Sequence, residues 1–252
     1  MNKLIIAIAT IVSLMPVSAY AEEPMTELGI YVFASEVSGD VGIRNVTIDV
    51  DASFSEILDN LDLGFMGYFE HRRDKWSFIG DLVYLKIEDD ASASLGPLTL
   101  DVDIGLEQTL LEGFAGYNVL ERDYGESKMN MDILVGARHV LIESDISAEV
   151  SLLLPFGPRS IDEDWTDAVI GVRFRNTYQN GWSSKVWIDV GEGSDSSSYQ
   201  LMAFVGYQKS DSWKLFGGYR YLNLEYEKGS GTSRFGVDLD YSGPMFGATY
   251  RL

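Results

Sequence analysis

The sequence predicts an all-β protein, an antiparallel up-and-down transmembrane β-barrel of about ten strands, with eight or twelve strands as the nearest alternatives. Three observations predict this fold class. The chain begins with an export-type leader, and apolar and polar residues alternate in the segments that follow. The connections between these segments are alternately long and compact. No later segment is apolar for long enough to span a bilayer as a helix, so any membrane span must be made by strands.

The leader has the pattern of a secretory signal. Lys3 precedes the apolar stretch 4–15, and Ala19 and Ala21 supply the small-x-small pattern that a signal peptidase reads. We therefore expect a signal peptide over residues 1–21 and a barrel domain over residues 22–252. The chain contains no cysteine, so it depends on burial and ladder hydrogen bonds for stability. Its formal charge of −20 makes nucleic acid a poor partner.

The alternating segments predict ten strands in chain order. Most of them reach the ~9–11 residues that a tilted strand needs to cross a bilayer. The predicted strands are 26–35, 62–72, 75–87, 104–120, 128–146, 166–178, 182–192, 198–209, 213–226 and 234–252.

The connections are sorted by length. Long connections at 36–61, 88–103 and 147–165 fall at every second position, and compact ones lie between them. Short turns on one side and longer loops on the other are typical of an outer-membrane barrel with both termini in the periplasm. The long connections are rich in acidic residues, which predicts a solvated acidic rim that divalent ions bridge to lipopolysaccharide.

The first long connection carries a helical signal. Ser53 and Glu56 fit a capping box, and apolar residues follow with helical spacing. Such a helix folds inward as a lid or lies on the rim at the membrane interface, and we favour the rim. The residues that form this signal are Ser53, Phe54, Glu56, Ile57, Leu58 and Leu61.

The two faces of the predicted strands differ in polarity. In 213–226, Leu215 and Tyr219 share one face while Lys214 and Arg220 share the other. If the apolar face contacts lipid, Arg220 lies in the lumen, and we expect it to pair with a carboxylate on a neighbouring strand. In a narrow barrel such charges form a structural network that fills the lumen, and the alternative is a polar conduit or ligand site. The predicted lumen residues are Glu70, Asp81, Glu112, Arg138, Arg173, Arg175, Lys185, Asp189 and Arg220.

Aromatic residues indicate where the bilayer ends. Trp76, Trp182 and Trp213 each follow a compact connection, which predicts a periplasmic girdle.

The last strand shows two patterns. Phe246, Ala248, Tyr250 and Leu252 alternate to the C-terminus and resemble the terminal strand signal that the barrel assembly machinery recognises, although such signals usually end in an aromatic residue. The apolar residues of 237–241 have the opposite parity, so we expect a β-bulge at 242–244 that resets the two faces.

The run "FSEILDNLDLGFMGYFEHRRDKW", then "DLVYLKI", "GYRYLNLEY" and "GP..FG..YR", resembles a group of Gram-negative outer-membrane β-barrel proteins with no settled activity. The resemblance covers most of the chain after residue 21 and implies a fold and a location in the outer membrane. It supplies no catalytic residues.

We interpret the chain as a structural or narrow-pore barrel without enzymatic activity. His71 and His139 are the two histidines, and neither has a nucleophile evidently placed on its face. No cofactor, metal or nucleic-acid motif occurs. The alternatives are a small specific channel for polar solutes and, from another class, a soluble exported β-barrel that binds a small apolar ligand. The expected partners are outer-membrane lipids, lipopolysaccharide and the barrel assembly machinery. The sequence leaves the oligomeric state open.

Overall fold

The computed structural model describes residues 24–43, 46–95, 98–150 and 156–252, so the predicted signal peptide lies outside the described residues. These residues form strands joined by tight turns, with one α-helix and one turn of 3-10 helix at Gly231–Ser233. No helix within these ranges is long and apolar enough to cross a membrane. The elements are β1 (Met25–Phe33), β2 (Glu36–Ile43), β3 (Val46–Ala52), α1 (Phe54–Asp59), β4 (Leu61–Arg73), β5 (Trp76–Leu95), β6 (Leu98–Asp123), β7 (Ser127–Val150), β8 (Phe156–Tyr178), β9 (Trp182–Glu192), β10 (Ser196–Gln208), β11 (Trp213–Lys228) and β12 (Phe235–Arg251).

The strands form a closed antiparallel barrel. β1 and β4 to β12 each pair with their neighbours, and the pairing of β1 with β12 closes a barrel of ten strands. The predicted fold class and strand number are therefore confirmed. We call the end at which β1 begins and β12 ends the lower end, and the half of the barrel next to it the lower half.

The two remaining strands form a hairpin that the sequence did not predict. β2 pairs with the first half of β12, while β1 pairs with its second half. β3 pairs with β2 and adds one more strand at the upper end. This hairpin occupies most of the connection that was expected to be a long loop.

The other long connections are also largely strand where they are described. β5, β6, β7 and β8 have 20, 26, 24 and 23 residues, well beyond the lengths predicted for them. Polar residues such as Glu88, Asp89 and Asp90 replace apolar ones in the upper parts of these strands, so the apolar alternation fades although the ladder continues. The sequence therefore located the lower parts of these strands and missed their upper ends.

The helical signal is confirmed for α1, which begins directly after Ser53. Ser53 and Glu56 form the capping box, with the backbone N–H of Ser53 donating to the Glu56 carboxylate at 2.8 Å. Bonds from the Ser53 hydroxyl and N–H hold the pKa of Glu56 below its usual range. Leu61, which was predicted to extend the helix, is the first residue of β4.

Along each long strand, residues of the same parity point inward throughout. The polarity of the inward and outward faces, however, is exchanged between the lower and the upper half. On β11 the buried inward side chains are Arg220 in the lower half, and Leu222 and Leu224 in the upper half. The outward side chains change in the opposite sense, from Leu215 to Glu225. The lower half is thus charged inside and apolar outside, and the upper half is apolar inside and acidic outside.

This exchange explains why the predicted β-bulge at 242–244 is wrong. The β11–β12 ladder runs through these residues without a register shift. Val237 and Tyr241 point into the buried core of the upper half, whereas Phe246 and Tyr250 point outward from the lower half. Apolar residues change parity along β12 because they serve two different apolar environments, the protein core above and the outer surface below.

Candidate functional site in the barrel interior

The interior of the lower half is filled by charged side chains, which we call the lumen charge network. The structure places all nine predicted lumen residues on the inner face, and six of them expose 2% or less of their surface: Glu70, Glu112, Arg138, Arg173, Asp189 and Arg220. Charged groups at such burial are stable only when each is matched by an opposite charge and by hydrogen bonds.

Arg138 is held at the centre of the network. Its Nε donates to Glu112 Oε1, its Nη1 to Ser198 Oγ and its Nη2 to Asp189 Oδ1, each at 2.7 Å. These partners lie on β6, β10 and β9, so one guanidinium on β7 connects a strand on one side of β7 with two strands on its other side. Arg138 has no measurable exposure.

Arg220 lies in the lumen as expected, but the expectation that it pairs with a neighbouring strand is wrong. Its Nη2 donates to Glu112 Oε2 at 2.6 Å, and its Nη1 contacts Asp81 Oδ1 at 3.3 Å. Both carboxylates are on strands across the lumen, whereas β11 adjoins β10 and β12. The long arginine side chain reaches across a narrow lumen, and sequence parity does not reveal such cross-lumen pairs. The Phe33 ring also lies against the guanidinium, with its centroid 5.6 Å away.

A second cluster lies around Arg173. The guanidinium contacts Glu70 at 2.9 Å and Asp132 at 2.8 Å, and it lies over the Trp187 ring at 5.7 Å. Arg175 also donates to Asp132, at 2.8 Å. The carboxylates of this cluster are therefore shared between several cations.

Five further charged residues belong to this face. Sequence reasoning missed Glu27, Arg72, Asp132 and Asp167, and it placed Lys214 on the same face as Arg220 without counting it among the lumen residues. Strand parity gives the signal for finding them, because each alternates in step with inward-facing neighbours on its own strand. With them, the network contains the seven carboxylates Glu27, Glu70, Asp81, Glu112, Asp132, Asp167 and Asp189, and the seven cations Arg72, Arg138, Arg173, Arg175, Lys185, Lys214 and Arg220.

The network is less tightly closed at the lower end. Lys185 and Lys214 keep 24% and 22% of their side chains exposed, and both border a cavity of about 80 Å³. Lys214 pairs with Glu27 at 3.1 Å, and Lys185 donates to the Tyr68 hydroxyl at 3.2 Å. The lower edge of the network is therefore partly exposed, whereas Arg138, Arg173 and Arg220 are buried.

The interior of the upper half is apolar. A core of buried side chains from β1, β5, β6, β7, β8, β11 and β12 fills it, and Trp165 stacks on Tyr226 with ring centroids 4.6 Å apart. A cavity of about 260 Å³ remains beside this core. Ile57 of α1 lines the cavity, while Leu58 is 53% exposed, so the helix borders the interior on one side and faces outward on the other. It combines features of the predicted lid and the predicted rim helix.

The predicted girdle tryptophans all lie at the lower end on the outer face. Each packs against a tyrosine of an adjacent strand, with ring centroids 4.9 to 5.1 Å apart. The pairs are Trp76 with Tyr117, Trp182 with Tyr207, and Trp213 with Tyr250.

The histidines are on the outer surface. His71 and His139 each contact a threonine of a neighbouring strand at 2.8 Å, namely Thr26 and Thr166. Among the described residues, no group of three histidine, aspartate or glutamate side chains is placed to hold a metal ion.

Comparison with known proteins supports the fold. No protein-family model matches the chain, and no curated protein sequence matches it significantly. The solved structure of the outer membrane protease OmpT from Escherichia coli is similar, with a TM-score of 0.50 and 7% identity over 91% of this chain and 97% of that chain. The translocator domain of the autotransporter NalP from Neisseria meningitidis is less similar to this chain, with a TM-score of 0.44 and 15% identity over 92% of this chain and 89% of that chain. The predicted resemblance to outer-membrane β-barrels is thus confirmed for the fold, and at these identities activity does not follow from it.

Proposed function

We propose that this chain is an integral outer-membrane β-barrel whose lumen is closed by the lumen charge network, so that it is not an open pore. The observation that carries this proposal is the burial of Arg138, Arg173 and Arg220, which expose 1% or less of their surface while they bridge carboxylates across the barrel. A continuous water path through the network would wet these guanidinium groups.

The outer surface of the lower half supports a bilayer location. Its outward side chains are apolar and largely exposed, for example Ile30 at 66% and Val190 at 55%. On β10 and β11 the apolar outer face extends from the lower aromatic pairs up to Tyr199 and Tyr221, whose rings lie 5.5 Å apart. Such a band between two aromatic rows suits a bilayer and is costly to expose to water. A soluble exported barrel would expose this band to water, so the band disfavours that alternative.

The export, location and partners of the chain belong to the same proposal. Residues 1–21 act as the signal peptide, the assembly machinery recognises the strand that ends near Leu252, and the acidic upper exterior contacts lipopolysaccharide through divalent ions. Because cleavage is expected directly after Ala21, mass spectrometry of the purified protein should find Glu22 at the N-terminus. Recovery of the mature protein from the periplasm without detergent would contradict a membrane location.

Absence of catalysis is also proposed. Each histidine contacts a threonine, and among the described residues no side-chain hydrogen bond joins either histidine to a carboxylate or a serine. A hydroxyl nucleophile needs a base that is itself oriented by a third group, and neither pair supplies that group.

Conductance in a planar bilayer tests the closed lumen. We expect the intact protein to give no large, stable openings, and a variant lacking residues 53–61 to remain closed as well, because the charge network lies below α1. Large openings in the intact protein would overturn the proposal. Openings only after the deletion would assign the closure to α1 and not to the charges.

A narrow channel selective for polar solutes is the second candidate. It is favoured by the cavity of about 80 Å³ at the lower end and by the partly exposed Lys185 and Lys214 that border it. Small, reproducible conductance steps that change when Lys214 is replaced by glutamine would support this candidate over a fully closed barrel.

A further inference from the structure

The cavity in the upper half has a lining unlike that of the lumen below it. Aliphatic side chains from several strands and from α1 surround it, including Val41, Ile57, Leu85, Leu106, Ile142 and Leu239. Its polar groups include the side chains of Gln108 and Tyr241, which bond to each other at 2.8 Å. Gln108 and Tyr241 satisfy each other, and Ser144 is the other polar side chain of the lining, so the cavity offers few groups to a polar ligand.

The size of the cavity suits an apolar occupant. At about 260 Å³ it is larger than the engineered apolar cavity of ~150 Å³ that stays dry and binds benzene. The cavity is partly open, and its aliphatic lining supplies few of the polar partners that hold ordered water. A hydrocarbon group larger than benzene therefore fits both its volume and its chemistry.

The barrel wall beside this cavity is incomplete, and we call the gap the seam. Among the described residues, the β1–β4 ladder ends at Ile30 and Gly67, and β3 pairs only with β2. Above Gly67, the edge of β4 that faces β1 and β3 has no ladder partner in the part of the chain that the structure describes. The backbone N–H of Phe33 donates instead to the Met66 sulfur at 3.1 Å, so a flexible thioether stands where a ladder bond is missing.

Both sides of the seam are apolar. Outside it, Val32, Leu63 and Phe65 are 42%, 55% and 51% exposed and continue the apolar outer surface of the lower half. Inside it, the side chains of Leu61 and Leu85 pack over Gly64, and Leu85 also lines the cavity. Apolar side chains thus extend from the outer surface, past Met66, to the lining of the cavity.

We infer that the upper cavity binds a hydrocarbon chain, and that the chain enters sideways from the membrane through the seam between β1 and β4. The inference goes beyond the proposed function, because the cavity lies above the charge network and can fill whether or not the lumen below it conducts. The chain belongs either to a free fatty acid or to a membrane lipid, since both present the same hydrocarbon to the seam.

Photolabelling tests the site. The mature protein in lipid nanodiscs is irradiated with decanoic acid carrying a terminal diazirine, and the labelled peptides are mapped by mass spectrometry. We expect labels on inward positions of β7 and β12, such as Ile142 and Leu239. The variants Leu239→Trp and Ile57→Trp fill the cavity and should lose these labels, and the second variant alters only a half-exposed helix and so retains the barrel. The control Leu201→Trp lies on the outer face and should keep them. Labels confined to the outer face of the wild type would overturn the inference.

Cross-linking tests the entry route. The chain has no cysteine, so the pair Val32→Cys and Phe65→Cys is unique and can be joined across the seam with a bifunctional maleimide. We expect this cross-link to abolish internal labelling. The control pair Val32→Cys and Phe246→Cys is joined across a complete ladder and should leave labelling unchanged. Internal labelling that survives the cross-linked seam would overturn the sideways route.

A second probe separates the two sources. A phosphatidylcholine that carries the same diazirine chain is built into the nanodisc in place of the free acid. Internal labelling by this lipid supports a membrane lipid as the occupant, and labelling by the free acid alone supports a free fatty acid. Labelling of the cavity by neither probe overturns the inference, while the conductance test of the closed lumen is unaffected.

Discussion

The lower and upper halves of this barrel are built by opposite rules on the same strands. Below, charged side chains fill the interior and apolar side chains cover the outside. Above, apolar side chains fill the interior, and carboxylates such as Glu225 and Asp238 lie side by side on the outside. The period of two is constant throughout, so the difference teaches that alternation reports the faces of a strand but not which face is inside.

With the lower half in the membrane, as proposed, the surroundings of each half supply the physical reason. An outer face in contact with lipid has to be apolar, which leaves the polar residues of the alternation for the lumen. There the charges are stable only as a matched set. An outer face in water has no such requirement, so the interior can become an ordinary apolar core.

The largest loss of stability is expected for a substitution in the charged interior of the lower half. Arg138→Leu leaves Glu112 and Asp189 without a shared cation in a buried site, and we expect a loss of roughly 3–5 kcal/mol in the free energy of unfolding. Urea unfolding in lipid vesicles measures it. The matched control is Arg234→Leu in the upper exterior, where the exposed pair with Glu227 should contribute little. Equal stability of Arg138→Leu and wild type would mean that the network is hydrated.

A smaller effect is expected in the apolar half. Leu224 is 1% exposed within the upper core, and Leu224→Ala should cost roughly 3 kcal/mol, because the truncation leaves a cavity. Leu215→Ala on the same strand is the control, since its side chain lies half-exposed on the outer face and its removal leaves no internal void. Thermal unfolding followed by gel mobility compares the two variants. A larger loss of stability for Leu215→Ala than for Leu224→Ala would contradict the assignment of the packed core to the inner face of the sheet.

The smallest effect concerns the acidic exterior above. Asp40 lies between Asp238 and Asp49 in cross-strand register, and a hydrogen bond with Asp49 raises the pKa of the Asp40 carboxyl above its usual range. The folded state therefore holds this proton more tightly than the unfolded chain does. The associated stability is present at acidic pH and is lost as the pH rises through the raised pKa.

We therefore expect the unfolding midpoint of the wild type to fall as the pH rises from acidic to neutral, and Asp40→Asn to reduce that fall. Unfolding at a series of pH values measures both proteins. Asn223→Asp, which adds a carboxylate to the same outer face, should steepen the fall. A pH dependence identical in wild type and Asp40→Asn would show that these like charges are separated by solvent.

Much of the fold and part of the site could be predicted from the sequence. Strand β9 was predicted with its observed bounds, because its alternation from Trp182 to Glu192 lies wholly in the half where outward residues are apolar. The nine predicted lumen residues lie on the inner face for the same reason. The capping box of Ser53 and Glu56 is local in sequence, so it too was readable.

The sequence by itself determined which residues share a face, because the period of a strand is fixed by backbone geometry. Only the tertiary structure decided where along β11 and β12 the polarity of the faces changes, which hairpin joins β12 above, and which carboxylates Arg220 reaches across the lumen. Those features depend on strand closure and on the width of the lumen, which bring together residues such as Arg220 and Asp81 that are distant along the chain.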